Sequence, residues 1–232
     1  MSGTGSLDAL LVSLQLTDSA FPSGMYTLSH GLEGFAQAKA VGPDSMPLLL
    51  ADLLRHSVGP ADATALALAH RAAGRGAWAA VVEVDERLHA SKLNRELRLA
   101  STRTGRQLLD TAGLALGGDG LERYAELVRA KRSPGCQAVA VGVVHAVNGV
   151  PVAQAVASDL FAFCSSFTGA ALRLRLTDHR RAQLTLRQLA PVIKEVTAAA
   201  LLRGLDDLGG CVPMADVMSA RHERAEARMF AS

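Results

Sequence analysis

Apolar residues recur along this chain at spacings of three and four, and that period predicts helices almost throughout. Ser6 is a plausible N-cap, and Leu7, Leu10, Leu11 and Leu14 give the first helix one apolar face. This helix should end near Asp18-Ser19, because Pro22 and Gly24 cannot continue it. A second helix begins around Ser29 or His30 and carries Leu32, Phe35 and Ala36. Gly42-Pro43-Asp44-Ser45 closes it and caps a third, whose face is Leu49, Leu50, Leu53 and Leu54. Gly59-Pro60 is expected to stop the third helix, with Pro60 at the first position of a fourth that runs to about Ala73.

Gly74 and Gly76 mark a loop, followed by a segment from Trp78 to Ala90 and a charged one from Ser91 to Ala112. In the latter, Leu93, Leu97, Ala100, Thr104, Leu108 and Ala112 fall near one face. Gly113, Gly117, Gly118 and Gly120 form the next break, and Leu121, Tyr124, Leu127 and Val128 mark a short helix ended by Ser133-Pro134-Gly135. The valine-rich run Gln137–Val147 has strand propensity. Its length and the lack of partner strands favour a helix, since a lone strand leaves its backbone groups unpaired. Leu172, Leu174 and Leu176 alternate with arginines and read as a helix end. Leu184–Leu189 and Pro191–Leu205 complete the core helices, and Gly209-Gly210 reads as a hinge.

Past the hinge, Met214, Val217, Met218, Ala225 and Met229 form an apolar stripe, with Arg221, Arg224 and Arg228 balanced by Asp216, Glu223 and Glu226. Such a tail is either a solvated, frayed end or a helix that docks in a partner's groove. The expected architecture is all-α: one compact, bundle-like domain of about ten helices over residues 1–208, with a C-terminal tail over 209–232.

Composition narrows this picture. Nearly half the chain is apolar, yet aromatics make up only 4%, so the core is built from small residues that let helices approach closely. A net charge of +2 and the absence of a basic stripe argue against nucleic acid or an anionic membrane as partner. The N-terminus has no basic region before its leucines, so no secretory signal is expected. The long uncharged stretch from Ser133 to Ser158 is broken by Asn148, Gly149 and Pro151 and reads as two buried helices rather than a membrane span. Cys136, Cys164 and Cys211, odd in number and without a CxxC pair, read as small buried side chains in a reducing compartment.

The sequence carries no phosphate-binding glycine loop, no dinucleotide fingerprint and no GxSxG elbow. Its seven histidines form no i,i+3 or i,i+4 pair, and His222-Glu223 lacks the second histidine of a zinc motif. Asp18, Ser19, Ser29, His30 and Glu33 make the best polar constellation. Helix capping explains them as well as function does. A hydrolase using Asp18, His30 and Glu33 would lack a placed nucleophile.

The stretch Leu16-Thr17-Asp18-Ser19-Ala20-Phe21-Pro22-Ser23-Gly24, followed by Ser29-His30-Gly31-Leu32-Glu33, resembles the opening signature of the UreF family of urease accessory proteins. Val84-Asp85 through Leu109, with the core Arg98-Leu99-Ala100-Ser101, is similar to the family's Asp-containing and charged helices. Phe161–Arg173 is similar to its Ser-Ser-x-x-x-Ala-Ala-x-Arg segment, and Arg221-His222-Glu223 with Arg228-Met229-Phe230-Ala231-Ser232 to its tail. Many relatives have Gly-Gly in the turn, where this chain has Gly24-Met25; the larger residue restricts positive φ there.

The resemblance implies a cytoplasmic, non-enzymatic homodimer without a cofactor or metal site of its own. It implies that the chain binds a UreD/UreH-type accessory protein and the UreG GTPase and docks on apo-urease for nickel insertion, controlling the GTPase's nucleotide state or nickel transfer. Arg221, His222, Glu223, Arg228, Met229 and Phe230 are then expected to bind the UreD/UreH-type partner. Ser29, His30, Glu33, Asp85, Glu96 and Arg98 are expected to face the GTPase or a nickel tunnel. A direct nickel carrier using histidines and cysteines is the competing reading, with the helical hydrolase behind it.

Overall fold

The computed structural model describes residues 6–225 and 227–231. Glu226, expected to balance the tail's arginines, and the terminal Ser232 of the tail motif lie outside the described residues, as do the first five residues. Eleven α-helices, and no strands, occur among the described residues. They are α1 (Leu7–Thr17), α2 (Leu32–Gln37), α3 (Met46–Leu53), α4 (Thr64–Ala73), α5 (Trp78–Ser91), α6 (Arg95–Ala115), α7 (Asp119–Arg129), α8 (Gln137–Val147), α9 (Val152–Arg173), α10 (His179–Leu202) and α11 (Pro213–His222).

The centre of the fold is α8. Every residue from Ala138 to His145 is buried, so the valine run is a core helix and not a strand. It packs most closely on α4, whose buried face is largely alanine. At Gly142 a Cβ would stand 2.6 Å from the Leu66 carbonyl, so only glycine permits this approach. Around this pair, α9 and α10 pack on each other, α6 lies on α8, and α5 on α4. By length and composition α9 is apolar enough to cross a membrane, but in this fold one face of it packs against α1, α4, α8 and α10.

Three local expectations are corrected. The helix does not stop at Gly59-Pro60. A π-helical stretch, Leu54–Ala63, joins α3 to α4 without a break. The wider turn accommodates a proline that has no N–H to donate and would clash in a regular helix. The Pro60 carbonyl accepts the Gly209 N–H at 3.1 Å, which pins the expected hinge to this turn. Likewise, α10 runs through Pro191. That residue faces solvent, where water can satisfy the carbonyl it leaves free.

The third correction is at α1. Leu7, Leu10, Leu11 and Leu14 are exposed, by 70, 45, 55 and 57%. The buried side is Ala9 and Ser13, which allow close contact with α9, and Ser13 Oγ accepts from Gln154 at 3.2 Å. The small face is inside and the large apolar face is outside. Cys136 and Cys164 are buried as expected, but Cys211 is exposed and its thiol points at the Asp216 carboxylate, 3.4 Å away.

Candidate functional site

The loop between α1 and α2 holds the opening signature. Asp18 closes α1 and accepts the Ala20 N–H at 2.8 Å. Gly24 takes φ +82° and Gly31 φ +85°. Met25 is not among the residues of positive φ, so it opens a 3₁₀ turn, Met25–Thr27, without the strain its size suggested. Helix α2 starts at Leu32, later than expected, and Ser29 caps it from upstream: its Oγ accepts the Glu33 N–H at 3.3 Å.

Leu16 to Tyr26 form one wall of a cavity of about 460 Å³ bounded by α6, α8, α9 and α10. A second cavity of about 140 Å³ adjoins it, with His30, Asp62, Lys92 and Ser219 on its walls. Met25, Gln137 and Asp159 border both. Burial pushes the Asp159 carboxyl up to about 6, with Asp62 adding to it against the hydrogen bond from Gln137. That bond is 2.9 Å long.

His145 lines the larger cavity from α8. Its Nδ1 donates to the Val141 carbonyl at 2.9 Å, and its buried Nε2 has no hydrogen-bond partner among the described residues. Burial holds this imidazole at about 4, so it is neutral and Nε2 offers a lone pair. His30 is also held at about 4, by burial and the nearby Arg173 cation. Ser166 donates to the Met25 carbonyl at 3.2 Å, and so it accepts from His30 Nε2 at 2.9 Å.

The second cluster joins residues from the two ends of the chain. Glu33 sits in the first turn of α2, Glu96 in the first turn of α6, and His222 in the last turn of α11. Helix dipoles favour anions at the first two positions and a cation at the third. His222 Nε2 lies 2.8 Å from Glu33 and Nδ1 lies 3.1 Å from Glu96. Either neutral tautomer donates to one of these carboxylates, and a doubly protonated ring donates to both.

Arg228 adds a bond to Glu96 at 3.0 Å, and the N–H groups of Met229 and Phe230 donate to Glu33 at 2.8 and 3.0 Å. Burial alone raises the Glu33 carboxyl, but these N–H groups and His222 more than reverse it, leaving Glu33 below its usual value. The cluster locks the tail onto the body. Its seat depends on Gly34, where a Cβ would stand 2.6 Å from the Met218 carbonyl. Asn94, which caps α6, also reaches the tail through Ser219 at 3.0 Å.

The site residues expected from the sequence therefore divide. His222 and Phe230 are buried within the chain's own fold, at 1 and 4% exposure, while Arg221, Arg228 and Met229 are exposed and Glu223 is half-buried. Glu33 and Glu96 meet at His222, but Asp18, His30 and Glu33 are each engaged by different partners. Arg98 is spent on the Lys92 and Leu93 carbonyls of its own turn.

Asp85, grouped in the sequence with surface polar residues, is instead fully buried. It accepts from Tyr124, Ser133 and the N–H groups of Gly135 and Cys136 at 2.6–2.9 Å, tying the α7–α8 turn to α5. Among the described residues no group of three or more His, Cys, Asp or Glu side chains is placed to hold a metal ion. Sequence reasoning missed the roles of Asn94, His145 and Asp159, whereas Arg173 closes the Ser-Ser-x-x-x-Ala-Ala-x-Arg segment read from the sequence. The Asn at the α6 cap was legible; His145 and Asp159 have no local signature.

Known proteins bear on this geometry. The UreF family model matches residues 41–190. The chain is 30% identical over 230 residues to urease accessory protein UreF 2 of Brucella canis, covering 97% of this chain and 93% of that protein. It is 35% identical over 217 residues to urease accessory protein UreF of Bradyrhizobium diazoefficiens and 34% over 215 residues to that of Xanthobacter autotrophicus. In both cases the match covers 92% of this chain and 87% of the relative.

Proposed function

The chain belongs to the UreF family of urease accessory proteins, and from that premise we propose that it bridges a UreD/UreH-type accessory protein and a UreG-type GTPase on apo-urease. Membership makes it an accessory factor of urease maturation and not an enzyme. The bridging role, in the cytoplasm and as a homodimer, is the finer reading.

One observation carries it. The tail is seated by its inner face, yet Met214, Val217 and Met229 remain 55, 46 and 64% exposed, beside the exposed Arg221 and Arg224. An apolar stripe rimmed by arginines is the kind of surface a partner covers. On this reading Arg221, Glu223, Arg228 and Met229 contact the UreD/UreH-type protein, while His222 and Phe230 hold the tail in place for it. The two adjoining cavities, walled by His30 and Asp159, support a path for nickel as cargo on the GTPase side. Ser29, Glu33 and Glu96 line neither cavity and act indirectly, by seating α2, α6 and the tail against one another, and Arg98 acts by fixing the α5–α6 turn.

Co-expression with the UreD/UreH-type partner tests this. Truncation after Gly210 removes the tail, and co-purification is expected to be lost while the core stays helical. Undiminished co-purification overturns the assignment. Nickel titration of the purified chain tests the carrier reading, and stoichiometric micromolar binding would favour it instead.

A further inference from the structure

Helix α10 carries its unpaired cations in one row. Arg180, Leu184, Arg187, Pro191 and Lys194 follow one another at steps of four and three, and each is exposed. That spacing places them along a single face of the helix, opposite the buried Ala182, Leu189 and Val196. Successive cations stand two turns apart, about 10 Å along the axis. Among the described residues Arg180, Arg187 and Lys194 take part in no ion pair.

The acids along this edge are engaged elsewhere. Asp178 caps α10 and accepts the Arg180 and Arg181 N–H groups, both at 2.9 Å. Asp44 meets Arg181 at 3.5 Å, and Glu195 meets Arg55 at 3.1 Å. The Asp52 charge also bears on Arg55. These two ion pairs set α3 and the π-helical stretch alongside α10, running in the same direction. Between them Leu48 stands on the outer face of α3 and Leu184 on that of α10, 69 and 61% exposed, while Leu50 and Leu53 of α3 turn into the core. Two large apolar side chains on neighbouring helices are thus bordered by cations that have no acid of their own.

This combination selects among occupants. A second copy docked through the same face would set one cationic row against another, and juxtaposed like charges oppose association. A polyanion would use the cations and leave Leu48 and Leu184 in water. A protein surface with a large apolar side chain among carboxylates satisfies both features, burying the leucines and complementing the row.

We propose that the outer face of α3 and α10 is a second docking surface, for a protein that presents carboxylates around a large apolar side chain. It is separate from the tail surface: α11 packs mainly on α2, and Leu48, Arg180, Leu184, Arg187 and Lys194 all lie on α3 and α10. The proposal therefore stands or falls independently of the partner reading for the tail.

Two double variants test it in the full chain co-expressed with urease and the other accessory proteins: Arg180→Glu with Arg187→Glu, and Leu48→Ser with Leu184→Ser. All four positions are exposed, so helicity and melting temperature are expected to hold within a few degrees. The chain is purified by an affinity tag, and the urease subunits and accessory proteins that accompany it are quantified by mass spectrometry. Both variants are expected to lose one and the same component by about tenfold or more, and Arg180→Lys with Arg187→Lys to retain it. Undiminished recovery of every component in both folded variants overturns the surface, and so does a loss in the charge variant that the leucine variant does not share. Truncation after Gly210 separates the two readings. A tail partner lost on truncation but kept by both double variants supports two distinct surfaces, and the loss of that partner alone in all three overturns the separation. Vesicles of phosphatidylserine and phosphatidylcholine probe the other anionic occupant. Flotation of the parent chain with them, abolished in the charge variant while every protein is still recovered, overturns a protein partner.

Discussion

His222 Nε2 lies 2.8 Å from Glu33 Oε2 across 189 residues of chain, and that one contact turns a C-terminal tail into part of the body. Because the other ring nitrogen faces Glu96, one ring bridges two buried carboxylates at once. Replacing it by alanine leaves Glu96 with Arg228 and Glu33 with the Met229 and Phe230 N–H groups and a long bond from Gln37. Removing one partner of a buried ion pair costs about 3–5 kcal/mol. The loss is expected to be local: in His222→Ala, amides of residues 213–231 exchange faster by two or more orders of magnitude. Those of α4 and α8 are expected to keep their protection. Hydrogen exchange read by mass spectrometry checks both halves.

Asp85 is expected to matter for stability rather than for partners. In Asp85→Ala the Tyr124 and Ser133 hydroxyls and the Gly135 and Cys136 N–H groups lose a common acceptor in the dry core. Buried donors left unsatisfied cost about 1–3 kcal/mol each before relaxation, so a total above about 4 kcal/mol is expected. For a chain of this size that lowers the melting temperature by roughly 8–16 °C, measurable by circular dichroism. Asp85→Asn retains one acceptor and is expected to fall between.

Acid sensitivity follows from His145. Its folded value of about 4 lies below the usual 6.5, so the unfolded chain binds the proton more readily between those values. Its contribution is fully present above about pH 6.5 and is lost as pH falls towards 4, to the extent of roughly 3 kcal/mol. Glu33, depressed by its donors, acts in the same direction at lower pH: its contribution is present above the ordinary carboxylate range and disappears as the folded group protonates. Urea unfolding at pH 7 and pH 5 is expected to show the loss, and His145→Gln to reduce it.

Asp159 has the opposite sign. Its folded carboxyl titrates near 6, above the usual 3.8, so the charged form is disfavoured in the fold and stability falls as pH rises between those values. Asp159→Asn keeps an acceptor for Gln137 and removes the charge. Because the group borders two cavities, the gain at pH 7 is expected to be about 1–2 kcal/mol rather than the full value of the shift. Thermal melts of the two proteins at pH 7 and pH 5 check that the gain shrinks on acidification.

The outward leucines of α1 bear on assembly. If a second copy covers them in the proposed homodimer, Leu10→Glu with Leu14→Glu shifts sedimentation from dimer to monomer. The melting temperature of the chain's core stays within a few degrees, since exposed positions contribute little to it. A dimer that persists in the double variant places the interface elsewhere.

The sequence by itself determined the helical class, the positions of most helices and the importance of the Leu16–Glu33 stretch. Those features reside in neighbouring residues: a 3.6-residue period, a cap such as Ser6, a turn at Pro22 and Gly24. Even the buried face of α7, Leu121, Tyr124, Leu127 and Val128, follows from period alone. The tertiary structure decided what local pattern leaves open. On α1 the leucine row should face inward by hydrophobicity, but α9 lies close enough to accept only Ala9 and Ser13. Pro60 and Pro191 should end helices, but a π-helical turn and a solvent-facing position absorb the missing donors. Likewise, Glu33 reads as a first-turn acid until the fold brings His222, Met229 and Phe230 to it. No spacing in the chain encodes that meeting, because it depends on how α2, α6 and α11 pack rather than on which residues adjoin.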